Sequence, residues 1–195
     1  MINLKKNDKV GISLKKKSGE LATVLIGLGW TLPNNAMYKK CDLDVSVFGL
    51  TNGQVPEDGY MVCFANPASP CGRIVHSGDN VTGNDGADDA EQVRINLEDL
   101  PAHIDELSIV VTIYDAQKRG HEFSKIENAY IRLIDVGNDD EVIAMYKLDG
   151  NYAGQYGVQV GSFMRENAEW KFEAMGIGFA RNLEEVARNF GVTVE

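Results

Sequence analysis

At 195 residues, with 44% hydrophobic and 25% charged residues, the chain has the composition of a globular protein and the length of one domain with a sizeable core, which excludes wholesale disorder. Against 19 Lys and Arg stand 29 Asp and Glu, a formal charge of −10, so nucleic acid is not an expected partner: phosphate backbones bind basic surfaces. No apolar run is long enough to span a bilayer and the opening MINLKKNDKVGISL lacks a signal-peptide core, so a cytoplasmic protein with no transmembrane segment is expected.

Strand signals dominate. KVGISLKKKSGELATVLIGLGW reads as two apolar segments about a Lys-Ser-Gly turn, a hairpin. Lys5, Lys6, Lys9, Lys15, Lys16 and Lys17 crowd this end. Lysines that guard an exposed edge strand against aggregation are the favoured account; contact with an anionic membrane surface is the alternative. DLDVSVFGL alternates Leu43, Val45 and Val47 with Asp42, Asp44 and Ser46. YMVCFANP is a short apolar strand stopped by Asn-Pro, and EQVRINL alternates again through Val93, Ile95 and Leu97. ELSIVVTIYDA is an apolar run rich in β-branched residues and suits a central strand buried on both sides.

NAYIRLIDV and EVIAMYKL flank a Gly-Asn-Asp-Asp turn, and YGVQVGSFMREN and AEWKFEAMGIGF form a last pair. Helix signals are few. NLEEVARNFG has an Asn cap, an acidic first turn and a closing Gly; DAQKRGHEFSKI and NLEDLPAHIDEL each have room for one turn, though Pro101 favours a connection in the latter. Many strands at regular spacing predict an all-β fold, an antiparallel β-sandwich with a few short helices, one of them C-terminal, in a single domain over 1–195. Cys41, Cys63 and Cys71 match no paired metal spacing and read as reduced, small buried hydrophobes.

The segment HSGDNVTGNDGADDAE, from His76 to Glu91, holds Asp79, Asp85, Asp88, Asp89 and Glu91 with no Lys or Arg. Such a loop is either solvated or occupied by a cation. Its carboxylates, amides and glycine-hinged carbonyls are the oxygen donors that Ca²⁺ takes; Mg²⁺ ranks second, and Zn²⁺ or copper would ask for more than His76. An EF-hand is excluded, because counting from Asn80 places Asp85 where that loop needs Gly, and a strand rather than a helix follows. Asp42 and Asp44, two apart on a strand, share one face and extend the acidic set, although spacing alone favours a solvated strand face. No dinucleotide fingerprint, phosphate-binding loop or nucleophile elbow occurs, and His76 is the one histidine beside the loop.

GLGW at 27–30, DLDVSVFGL at 42–50, IVHSGDNVTGNDGADDAEQVRINLEDLP at 74–101, IVVTIYDAQKRGHEFSKIENAYIRLID at 109–135 and EWKFEAMGIGF at 169–179, in this order and spacing, resemble the tellurite-resistance, TerD-type stress-protein family over nearly the whole chain. The resemblance implies a bacterial, cytosolic, calcium-binding β-sandwich that serves stress and tellurium resistance as a binding, scaffold or sensor module, not as an enzyme. It implies partners among other tellurite-resistance proteins, membrane-associated ones included, and so a position in the cytoplasm or peripheral at the inner face of the membrane. It maps the family's metal ligands onto Asp42, Asp44, Asp79, Asn80, Asp85, Asp88, Asp89 and Glu91. The family usually continues GLGW with Asp, where this chain has Thr31, which removes one carboxylate from the set. The alternative function is a metal-dependent enzyme acting in tellurite or nucleotide chemistry.

Overall fold

The computed structural model describes residues 1–10 (backbone alone at 9 and 10), 23–32, 40–83, 89–148, 152–167 and 169–194. Their strands form two six-stranded sheets around one core. The first runs in the order β1 (Ile2–Leu4), β10 (Glu141–Lys147), β9 (Glu127–Asp135), β3 (Thr23–Thr31), β7 (Glu91–Asn96), β6 (Ile74–His76). The second runs β2 (Lys9–Val10), β12 (Glu169–Phe179), β11 (Gly157–Glu166), β8 (Glu106–Ile113), β4 (Leu43–Leu50), β5 (Met61–Val62). Every pairing is antiparallel except β1 with β10, which is parallel.

The two-residue period decides which side chains meet between the sheets. Val24, Ile26, Leu28 and Trp30 of β3 are buried beside Val93 and Ile95 of β7 and Ile131 and Leu133 of β9. Leu43, Val45 and Val47 of β4 lie in register with Ile113, Val111 and Ile109 of β8, all buried. Both hairpins expected near the C-terminus are present, as β9–β10 and β11–β12.

Among the described residues, the segments of the hairpin expected over residues 9–30 do not pair with each other. β2 pairs with β12 and β3 pairs with β7 and β9, so the described parts of the two segments belong to different sheets; the Lys-Ser-Gly turn lies outside the described residues. Among the helical expectations, 115–126 holds a four-residue helix, α1 (Ala116–Arg119), and a 3₁₀ turn at Phe123–Lys125, whereas 97–105, between β7 and β8, holds turns and no helix. The C-terminal helix, α2 (Leu183–Asn189), is capped as its sequence predicts. Asn182 Oδ1 accepts from the Glu185 amide and Glu185 Oε2 from the Asn182 amide, both at 2.9 Å. Just beyond α2, Phe190 packs on Phe48 of β4 with ring centroids 4.6 Å apart, on the face of the strand that also carries Asp44 and Ser46. All eight residues of β4 are buried.

Candidate metal centre

Strand geometry brings the first two carboxylates together. Asp42 and Asp44 alternate with the core residues Leu43 and Val45, and the loop after β6 carries Asp79 to them. Each offers one oxygen such that the three lie within 4.8 Å of one another. Asp42 and Asp44 are buried and Asp79 is exposed, so the cluster opens to solvent on the loop side.

Burial of like charges shows in their protonation. Burial, and then the negative charges of Glu91, Asp42 and Asp79, push the Asp44 carboxyl up to about 8. Burial, and then Asp79 and Glu91, push Asp42 up to about 6, with the Arg119 guanidinium working against them. Asp42 Oδ1 is buried without a hydrogen-bond partner among the described residues. An orphaned buried carboxylate oxygen is rare and calls for a proton or a cation.

Glu91 stands directly behind the cluster, wholly buried. Its Oε2 accepts from the Val45 amide at 3.0 Å and its Oε1 from the Asn80 amide at 3.2 Å. One carboxylate thus holds the edge of β4 beside Asp44 and the loop residue that follows Asp79. His76 Nδ1 accepts from the Gly78 amide at 3.0 Å, which leaves its proton on Nε2, facing Glu91 Oε2 at 3.4 Å. The histidine braces the loop through Gly78, and its Nε2 makes no hydrogen bond among the described residues.

Trp30 explains part of the GLGW block. Its indole N–H donates to the carbonyl of Cys41 at 3.2 Å, next to Asp42, and Gly83 of the acidic loop lies against it. A Cβ at Gly83, where φ is +67°, would come within 2.7 Å of Trp30 Nε1, so only glycine permits this approach. The tryptophan therefore ties strand entry and loop together.

The other predicted ligands are placed differently. Asn80 turns its Oδ1 to the Thr82 amide at 3.0 Å, a local Asx turn. Asp89 faces the first sheet: Arg132 Nε donates to its Oδ1 at 2.7 Å and Gln92 Nε2 to its Oδ2 at 3.1 Å, above the bare Gly27 backbone. Asp85 and Asp88 lie outside the described residues. Sequence reading missed Arg119, which donates from Nη1 to the Lys40 carbonyl at 3.1 Å and lies over the Tyr114 ring. Only the pairing of β8 with β4 brings it there, and no local signal announces that pairing.

Buried Cys41 and Cys63 pack as hydrophobes; burial, then the Asp42 charge, pushes the Cys41 thiol up to about 12, which leaves it unreactive.

The sequence matches the TerD domain over residues 1–190. The chain belongs to the TerD domain family. Stress response protein SCP2 of Bacillus subtilis (strain 168) is 38% identical over 187 residues, covering 91% of this chain and 92% of its own. Tellurium resistance protein TerD of Serratia marcescens is 37% identical over 182 residues, covering 93% of each chain. Among solved structures, a protein of unknown function superposes with a TM-score of 0.72 at 23% identity, covering 89% of this chain and 99% of its own. A Streptomyces coelicolor A3(2) homologue of telluride resistance protein (TerD) gives 0.65 at 22% identity over 86% of this chain and 96% of its own. These two likenesses are of fold: the TerD-family sandwich is shared. The TerD-family relatives above carry stress and tellurium resistance in their names, and no helix in the described residues is long and apolar enough to cross a membrane.

Proposed function

We propose that this TerD-family protein binds calcium through Asp42, Asp44 and Asp79 and serves stress and tellurium resistance as a binding module. The observation that carries the reading is the convergence of those three carboxylates, two of them buried, with Asp42 Oδ1 left without a partner among the described residues. The donors are hard oxygens, which suits Ca²⁺ ahead of Zn²⁺ and, where many ligands and an irregular loop are offered, ahead of Mg²⁺. Asp85 and Asp88 are the loop carboxylates that remain to complete the set. Asn80 and Glu91 hold the loop and strand in place, and Asp89 pairs with Arg132. Bound calcium supplies the positive charge that buried Asp42 and Asp44 otherwise obtain by keeping protons.

In this reading the protein acts in the cytoplasm, beside membrane-associated members of the same resistance system, and presents its loop to partners in a calcium-dependent form. An enzyme of tellurite or nucleotide chemistry would need a base beside a metal-held water, and both nitrogens of His76 are turned into the fold. Titration calorimetry on chelator-stripped protein tests the proposal. Calcium should bind ahead of magnesium and zinc, and a pull-down should recover partners only with calcium present. Zinc binding tightest, or no calcium heat at millimolar metal, overturns the assignment.

A further inference from the structure

The strand order places a second feature at the far edge of both sheets from the acidic cluster. β1 and β10 end the first sheet opposite β6, and β2 and β12 end the second opposite β4 and β5. Between these edges runs a groove of about 890 Å³. Lys5 and Lys6 line it from the N-terminal segment and Lys147 from the end of β10, and no carboxylate lines it among the described residues. In a chain of formal charge −10 that is a reversal of sign. The nearby Asp8 carboxylate accepts from the Lys5 backbone amide at 2.7 Å, closing the turn that presents these lysines.

The groove is also apolar at its rim. Met1 is 68% exposed and Ile177 47% exposed on its lining, with Ile2, 47% exposed, alongside. These are three of the six exposed large hydrophobic residues described, so exposed apolar surface and a lining of lysines coincide. The floor is polar: the Tyr146 and Tyr152 hydroxyls meet at 2.8 Å. Gly176, at φ +57°, lets the β12 backbone approach them, since a Cβ there would lie 2.0 Å from the Tyr146 hydroxyl.

Lysines that only protect an edge strand would account for Lys5 and Lys6, but not for Lys147 on a neighbouring strand or for isoleucine left exposed at the same groove. Flexible ammonium groups around exposed aliphatic side chains are what the boundary of an anionic bilayer takes: the amines meet lipid phosphates while the apolar tips enter below them. We propose that this groove is the face on which the protein seats on an anionic phospholipid bilayer, with Lys5, Lys6 and Lys147 on headgroup phosphates and Met1, Ile2 and Ile177 in the headgroup boundary. The seat deepens the placement beside the membrane and does not rest on calcium, because the acidic cluster lies at the opposite edges of the sheets.

The experiment is co-sedimentation of the full-length protein with vesicles of phosphatidylcholine alone and of an equal mixture of phosphatidylcholine and phosphatidylglycerol, in chelator at low salt. Binding should occur to the mixed vesicles only and weaken as sodium chloride is raised. The triple variant Lys5→Gln/Lys6→Gln/Lys147→Gln should lose about two orders of magnitude in affinity, and Ile177→Asp about one. The charge-matched triple Lys118→Gln/Lys125→Gln/Lys171→Gln should bind as the parent does. All of these positions are exposed, and unchanged melting of each variant shows that it folds. Binding that requires calcium and vanishes in chelator would place the contact at the acidic cluster and overturn the proposal. So would an equal loss in the two triple variants, absence of binding to the mixed vesicles, or inorganic phosphate at millimolar concentration displacing the protein from them, which would make the groove a site for small anions.

Discussion

Glu91 and Val45, 46 positions apart, are joined by a hydrogen bond of 3.0 Å from the strand amide to the buried carboxylate. This one contact takes the place of a ladder partner on β4 beyond β5, which pairs only with Val47 and Phe48. The same carboxylate holds the Asn80 amide, so the strand that carries Asp44 and the loop that carries Asp79 share an anchor.

Removing that anchor should cost stability before it costs any ligand. Glu91→Ala leaves the buried Val45 amide and the half-buried Asn80 amide without an acceptor, a loss of about 3 kcal/mol. For a domain of this length the melting midpoint falls by roughly 6–12 °C. Glu91→Gln keeps the shape and one acceptor oxygen and should fall less. Thermal unfolding by circular dichroism checks both variants, and an unchanged midpoint for Glu91→Ala would mean that the anchor is dispensable.

Asp79 and Asp89 separate binding from structure. Asp79→Ala removes an exposed carboxylate of the cluster and should weaken calcium binding with little change in the stripped protein's stability. Asp89→Ala strips Arg132 and Gln92 of their acceptor and should destabilise by about 1–3 kcal/mol while leaving calcium affinity near that of the parent. Asp88→Ala, in the same loop, should weaken calcium, and Glu57→Ala, outside the cluster, should do neither. Calorimetry paired with melting reads all four, and a calcium defect in Asp89→Ala would return that residue to the ligand set.

Much of the fold was legible because its longer strands follow a period of two and are punctuated by turns. β4, β7 and the two C-terminal hairpins rest on that signal, and β8 on its run of β-branched residues. β1 and β6 have three residues each, too few to show a period, and exist because long-range partners pair with them. The apolar segments around 9–30 carried hairpin chemistry, yet tertiary partners in separate sheets drew β2 and β3 apart. At the site, the shared face of Asp42 and Asp44 followed from spacing. Its burial did not, since the elements that meet β4 come from distant parts of the chain: β8 pairs along it and Phe190 packs on Phe48. The pairing of Asp89 with Arg132, 43 positions away, is likewise invisible to local pattern.

Protonation of the buried pair gives a pH dependence with a definite sign. In chelator, Asp42 and Asp44 have folded values of about 6 and about 8 against an ordinary 3.8. The folded state therefore binds more protons than the unfolded chain, and its stability falls as pH rises. Their contribution is fully present below the ordinary carboxylate value and is lost as pH climbs through about 6 and then about 8. Asp44→Asn has no such proton to lose, so its melting midpoint should gain on the parent's steadily across that window. Parallel curves for the two proteins would show that Asp44 does not carry the dependence.

Calcium should abolish that decline and raise stability outright. Without an ion, folding gathers Asp42, Asp44 and Asp79 within 4.8 Å and places Glu91 behind them, and their repulsion opposes it. An ion that binds the folded state alone stabilises it by about 2.7 kcal/mol at a hundredfold excess over its dissociation constant. At this chain length that corresponds to a rise in the melting midpoint of roughly 5–11 °C. Sodium chloride softens the repulsion by screening but supplies no coordination, so buffers matched in ionic strength isolate the specific effect. The gain should persist in Asp89→Ala and shrink in Asp79→Ala, because only the second loses a carboxylate from the cluster. Equal midpoints for the parent protein in calcium and in matched sodium chloride would mean that these carboxylates keep their protons instead of holding an ion.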